Sequence, residues 1–305
     1  MKSGWPDFLL IGAPKAGTTA LYRALSRHSE IFLSAEKEPR YFAYMNTTPN
    51  FNGPAGTRIE NSIVRLEKDY LQLFQACPEG CVAGEASSAY LYSAEAPANA
   101  WSTIPNLRIV AVLRHPVDRA YSQWLQMTQE GLETESFEVG WKLEEQRRDA
   151  NYPPLWFYRD RGFYGRDLSN WLQYFPREQV LVLFYEDWLT HPQETLYRVY
   201  QHLGVGVNKI NKVTREHVSS QQPRWAWLHH RMVEDNKLRQ WAQSNLPLFV
   251  RDAITLPVKK LNLRAGPALN PTVRARLTSV YLDDIVLLEK LTGRNLEHWK
   301  TGGSS

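Results

Sequence analysis

The chain is 305 residues long, 43% hydrophobic and 22% charged, enough to bury a substantial core within one large domain. Its formal net charge of +4 favours a small anionic ligand but falls short of the dense basic clusters that mark a nucleic-acid binder. Residues 8–11 are too short for a signal-peptide core and no apolar run approaches the roughly 20 residues that cross a bilayer, so the expectation is a soluble, cytoplasmic protein with no membrane span.

In chain order, four short apolar runs read as buried parallel strands: FLLIG at Phe8, CVAG at Cys81, RIVAVL at Arg108 and VLVLF at Val180. Helical patterns lie around and between them at residues 19–26, 62–77, 116–129, 165–175 and 192–203. Strand alternating with helix predicts an α/β fold, a parallel sheet flanked by helices on both faces. After Gly204 the strand pattern stops, and an amphipathic helix over residues 271–291 is expected to cap the sheet. The reading is one domain over residues 4–300, with the Gly/Ser-rich 301–305 as a flexible tail. Cys77 and Cys81, the only cysteines, cannot complete a four-coordinate zinc site, and no disulfide or metal role is expected of them.

The first strand runs straight into APKAGTT and then a helical stretch. That order is a P-loop-like phosphate cradle: backbone N–H groups of Ala16, Gly17, Thr18 and Thr19 at a helix N-terminus attract an anion, Gly17 lets the backbone approach closely, and Lys15 supplies a point charge. A nucleotide-triphosphatase loop would read G-x-x-x-x-G-K-S/T. Here Thr18 stands where that lysine should be and Lys15 has moved to mid-loop, where an ammonium suits a phosphosulfate held without magnesium. RIVAVL then leads into LRHPVDRAYS, placing Arg114 at a strand's carboxyl end, Pro116 at the first helical position and Ser122 two turns further on. A guanidinium fork plus a hydroxyl fits a terminal phosphate.

GAPKAGTTALY resembles the 5′-phosphosulfate loop of sulfotransferases that use 3′-phosphoadenosine-5′-phosphosulfate (PAPS), particularly the heparan sulfate sulfotransferases and their bacterial relatives. The similarity covers residues 6–299. It implies PAPS as donor, 3′-phosphoadenosine-5′-phosphate (PAP) as product, no metal, and Arg114 with Ser122 as the 3′-phosphate site. LNLRAGPALNP is similar to the family's loop over the nucleotide. Arg264 takes its basic position or is a solvated loop arginine, and Asn262 replaces the lysine of the heparan enzymes. Arg224 and Trp225 form a further segment without an assigned role.

Transfer to a hydroxyl or amine needs a base. Glu38, in AEKEPRYF, occupies the position of the base in the resembling heparan enzymes, with Lys37 beside it to steady the donor or orient the carboxylate. Glu85, after the second predicted strand, is the rival base or shapes the acceptor pocket. Ala86 replaces a lysine of the heparan enzymes, which argues against a heparan-like polyanion, and the acceptor is read as a carbohydrate or small molecule. Tyr90, Tyr92, Trp156, Tyr158, Phe163 and Tyr164 line an aromatic acceptor site or belong to the core. His28 is read as structural, with His115 and His217 as fallback bases. Two competing functions remain, a nucleotide kinase on the same loop and a nucleotide-binding module without catalysis.

Overall fold

The computed structural model describes residues 4–45, 47–207, 221–223, 263–265 and 267–301. Five parallel strands, β1 (Phe8–Gly12), β2 (Ile31–Leu33), β3 (Val82–Ala86), β4 (Arg108–Leu113) and β5 (Val180–Phe184), form a sheet in the order β2-β3-β1-β4-β5. All five residues of β1 are buried and so is every residue of β4 after Arg108. That is the cost of covering both faces of a parallel sheet with helices: alternation disappears and each strand becomes a continuous apolar run. Because the chain fills one side of β1 before crossing to the other, β1 borders the switch point, and ligands of such sheets sit outside the carboxyl ends of the strands there.

The flanking helices follow the expected spacing. The helix α1 (Thr18–Leu25) buries Thr18, Leu21, Ala24 and Leu25, one face at three- and four-residue intervals. The helices Pro116–Gln129 and Pro192–Leu203 both open with proline in the first turn, where its missing N–H costs nothing. The second of these ends on Gly204 at φ 71°, a left-handed cap that glycine adopts without strain.

The outer elements depart from the sequence reading. β2 carries only three residues, of which Ile31 alone is buried, so it has no apolar run to announce it. The helix expected over 62–77 contracts to Glu67–Gln72, with Leu66 exposed at its entrance. The helix expected over 271–291 is two, Pro271–Thr278 and Leu282–Thr292, divided by a tight turn at Ser279–Tyr281. Tyr281 explains the break: its ring is fully buried and its hydroxyl donates to the Arg159 carbonyl at 2.8 Å. Asp284, at the start of the second helix, accepts from the N–H groups of Gly165 and Arg166 and so caps the helix Tyr164–Leu172. Strands also do not stop at Gly204, since β6 (Gln221–Pro223) pairs antiparallel with β7 (Leu263–Ala265). Cys77 and Cys81 are both free thiols. Among the described residues no helix is long and apolar enough to cross a membrane, and no cluster of His, Cys, Asp or Glu has the makings of a metal site.

Candidate active site

A cleft of ≈ 690 Å³ opens over the carboxyl ends of the strands. One wall is the loop between β1 and α1. Lys15 sits there at φ 65° and Gly17, the N-cap of α1, at φ 91°. As its N-cap, Gly17 offers this helix end no side chain, and Gly17, Thr18 and Thr19 line the cleft. A Cβ on Gly17 would press on the Tyr185 ring at 3.2 Å, so glycine answers both the backbone angle and the close approach. Ala16 behaves differently from its neighbours: it is fully buried and its N–H closes a turn on the Ala13 carbonyl at 3.2 Å.

The second wall comes from β4 and the helix behind it. Arg114 donates to the Lys15 carbonyl at 3.2 Å and lies over the Tyr185 ring, 4.8 Å from its centroid. Ser122, 5% exposed, faces the same cleft. One turn further, Gln126 accepts from Lys15 Nζ at 3.1 Å and passes the connection on to Glu130, which pairs with Arg58 at 2.9 Å. Burial, and then the nearby Arg114 charge, hold the Lys15 ammonium below the usual lysine range. A bound anion would offset both effects by favouring the charged ammonium.

Glu38 stands across from this cradle. Its N–H extends the β3 pairing by donating to the Ala86 carbonyl at 2.8 Å, which fixes the loop after β2 against the sheet. The carboxylate accepts from Ser88 N–H at 3.1 Å and Ser88 Oγ at 2.8 Å, while Lys37 Nζ and Arg40 Nε each stand 3.6 Å away. Lys15, Glu38 and Arg40 all adopt left-handed φ angles, three of the five non-glycine residues to do so among the described residues. Each such residue costs about 1–3 kcal/mol, and that strain gathers where the cleft needs side chains aimed.

Glu85 does not line the cleft: it is fully buried and accepts from the hydroxyls of Tyr90 at 2.6 Å and Tyr70 at 3.1 Å. Burial pushes its carboxyl up to about 7, against the opposing pull of those hydroxyls. Of the aromatic residues, Tyr92 lines the cleft, joined by Tyr44, whereas Tyr90, Trp156, Tyr158 and Tyr164 are core and Phe163 packs on Tyr281. His115 is 1% exposed, bonded to the Trp299 carbonyl, and lowered to about 4 by burial; His28 ties the chain near Gly206 as a structural residue. Arg264 lies in β7 opposite Gln222. Asn262, His217, Arg224 and Trp225 lie outside the described residues.

Sequence reading missed Ser88, Arg40, Gln126 and Arg161, all on the cleft wall. Gln126 was within reach, since it follows Ser122 by one helical turn and shares its face. Ser88 follows the carboxyl end of β3 as Arg114 follows β4.

The sequence model of the "Sulfotransferase family" matches residues 6–209. Among curated proteins, the mouse bifunctional heparan sulfate N-deacetylase/N-sulfotransferase 3 (Mus musculus) is 27% identical over 312 residues, covering 96% of this chain and 31% of the relative. Human carbohydrate sulfotransferase 15 (Homo sapiens) is 28% identical over 264 residues, covering 66% of this chain and 44% of the relative. The chain thus spans less than half the length of these curated relatives. Among solved structures, a sulfotransferase from Alicyclobacillus acidocaldarius superposes with a TM-score of 0.76 at 26% identity, covering 97% of this chain and 99% of that one. With the family match running over more than half of its residues and a solved sulfotransferase sharing the fold end to end, the chain belongs to the sulfotransferase family.

Proposed function

We propose that this sulfotransferase moves the sulfuryl group of PAPS to a hydroxyl or amine of a carbohydrate or small-molecule acceptor, releasing PAP. The observation that carries the proposal is the convergence of three groups on one cleft: the cradle of Lys15, Gly17, Thr18 and Thr19, the Arg114/Ser122 pair, and Glu38. The cradle takes the 5′-phosphosulfate at the N-terminus of α1, and Arg114 with Ser122 takes the 3′-phosphate. Glu38 removes the acceptor's proton as its oxygen or nitrogen bonds to sulfur from the side opposite the leaving group. The bond from sulfur to the bridging oxygen breaks, and the charge that collects on the 5′-phosphate of PAP is met by Lys15. Lys15 then exchanges its bond with Gln126 for one with the donor.

Incubation with PAPS and a panel of sugars, amines and phenols tests this reading. The expected result is acceptor-dependent release of PAP that persists in EDTA. PAP release from no acceptor, or its abolition by chelation, would overturn the proposed chemistry.

A further inference from the structure

Arg161 enters the cleft wall from the short turn Asp160–Gly162 and is 5% exposed. A guanidinium carries five N–H donors and stays charged throughout the physiological range. Among the described residues, however, Arg161 makes a single hydrogen bond, a long one of 3.4 Å from Nη1 to the Pro154 carbonyl, and its buried Nε makes none. It joins no ion pair there either. What faces its charge is the ring of Tyr92, with Cζ 4.1 Å from the centroid. A ring face recovers only a small part of what a cation loses with its hydration. The fully buried Arg119 nearby adds a like charge and makes the position costlier still.

The surroundings decide which ligand would answer that charge. Lys37 and Arg40 flank Glu38, each at 3.6 Å, so with Arg161 three cations on this wall share one carboxylate. Lys15 and Arg114 face the donor side, where the phosphates of a nucleotide would neutralise them. Arg161 lies instead on the Tyr92 ring, and the charges that act on it most strongly belong to Tyr92, Arg119, Glu38 and Tyr44. Once a nucleotide neutralises Lys15 and Arg114, the excess of positive charge that remains lies beside the acceptor's place.

We propose that Arg161, seated on Tyr92, is the receptor for a carboxylate of the acceptor, carried close to the hydroxyl or amine that Glu38 deprotonates. The proposal rests on the reading of the cleft given above and narrows its acceptor to an acid. Among the described residues Glu38 engages Lys37 and Arg40, while Arg161 pairs with no carboxylate, which leaves it to take a second anion. Arg161 thus selects the acceptor and orients it, while the proton transfer stays with Glu38.

The test uses two probes that differ only in a carboxylate against a hydroxymethyl group, 4-nitrophenyl β-D-glucuronide and 4-nitrophenyl β-D-glucoside, titrated by calorimetry into the PAP-loaded protein. The glucuronide is expected to bind about tenfold tighter or better, the range of a charge-assisted hydrogen bond. Arg161→Met should bring the two affinities together, and Arg161→Lys, which keeps the charge if the methionine variant fails to fold, should retain part of the preference. PAP affinity should be unchanged in both variants. Equal binding of the two probes by the unmodified protein, binding of neither, or a preference that survives Arg161→Met would overturn the proposal. Weakened PAP binding in Arg161→Met would overturn it as well, by giving the guanidinium to the donor. Failure of the unmodified protein to bind PAP would instead refute the donor assignment, so the two readings fail separately.

Discussion

Replacing Glu38 by Gln isolates the proposed base. The glutamine keeps the length of the side chain and one oxygen in the place of Oε1, which accepts from Ser88 N–H at 3.2 Å and Ser88 Oγ at 2.8 Å. What it loses is basicity and two ion pairs at 3.6 Å. Those pairs are partly exposed, with side chains 17–28% accessible, and such pairs contribute about 0–1 kcal/mol each, so the fold should tolerate the change. Loss of a general base costs about 10²- to 10⁴-fold in rate, equivalent to about 3–5 kcal/mol on the activation barrier. PAP affinity should move by less than about fivefold, the most that one partly exposed pair is worth. Turnover is measured as PAP release at saturating PAPS and acceptor, and affinity by calorimetry. Near-normal turnover in Glu38→Gln would refute the reasoning. Glu85→Gln is the control, because Glu85 reaches Tyr70 and Tyr90 and not the cleft. An inactive Glu85→Gln beside an active Glu38→Gln would exchange the two roles.

Lys15→Ala should lower kcat by about 10²- to 10³-fold while weakening PAP far less, because the ammonium acts on charge that develops as the bridging bond breaks; equal losses in PAPS and PAP affinity with kcat intact would make it a binding residue only. Glu85 is raised by burial from an ordinary carboxyl value to about 7, so the folded state holds its proton more tightly than the unfolded chain does. Its contribution to stability is complete below pH ~4.5 and fades as pH rises through about 7, a slope of order 3 kcal/mol at most. Urea unfolding of Glu85→Gln across that window should lack the slope, and parallel curves for the two proteins would contradict the assignment.

The parts of the site that were legible in the sequence are those written in one contiguous stretch. Strand, loop and helix from Phe8 to Leu25 follow one another without interruption, so the cradle could be read from spacing, and the same holds for Arg114 through Ser122. Glu38 could be proposed, but not its setting, since Ser88 reaches it across 50 positions of sequence. Glu85 was misplaced for a related reason: a strand's successive residues face opposite sides, and which side becomes the cleft depends on the packing of helices that no local pattern records. β2 was missed because three residues with one buried carry no period to detect. Arg161 was invisible, as a buried arginine and a surface arginine are the same letter until burial is known. The apolar spacing over 271–291 runs on without a gap, and only the Tyr281 hydroxyl, which donates to the Arg159 carbonyl, shows why the helix breaks.

A cleft that receives a nucleotide bearing phosphates at both the 5′ and 3′ positions must tell PAP from adenosine 5′-phosphate, and calorimetry measures that difference. Arg114 and Ser122 have no target on adenosine 5′-phosphate, so the unmodified protein should prefer PAP. Arg114→Ala should remove most of that preference, a loss of about 1.5–3 kcal/mol for a hydrogen bond to a charged group. Equal affinity for the two nucleotides in the unmodified protein would contradict the account.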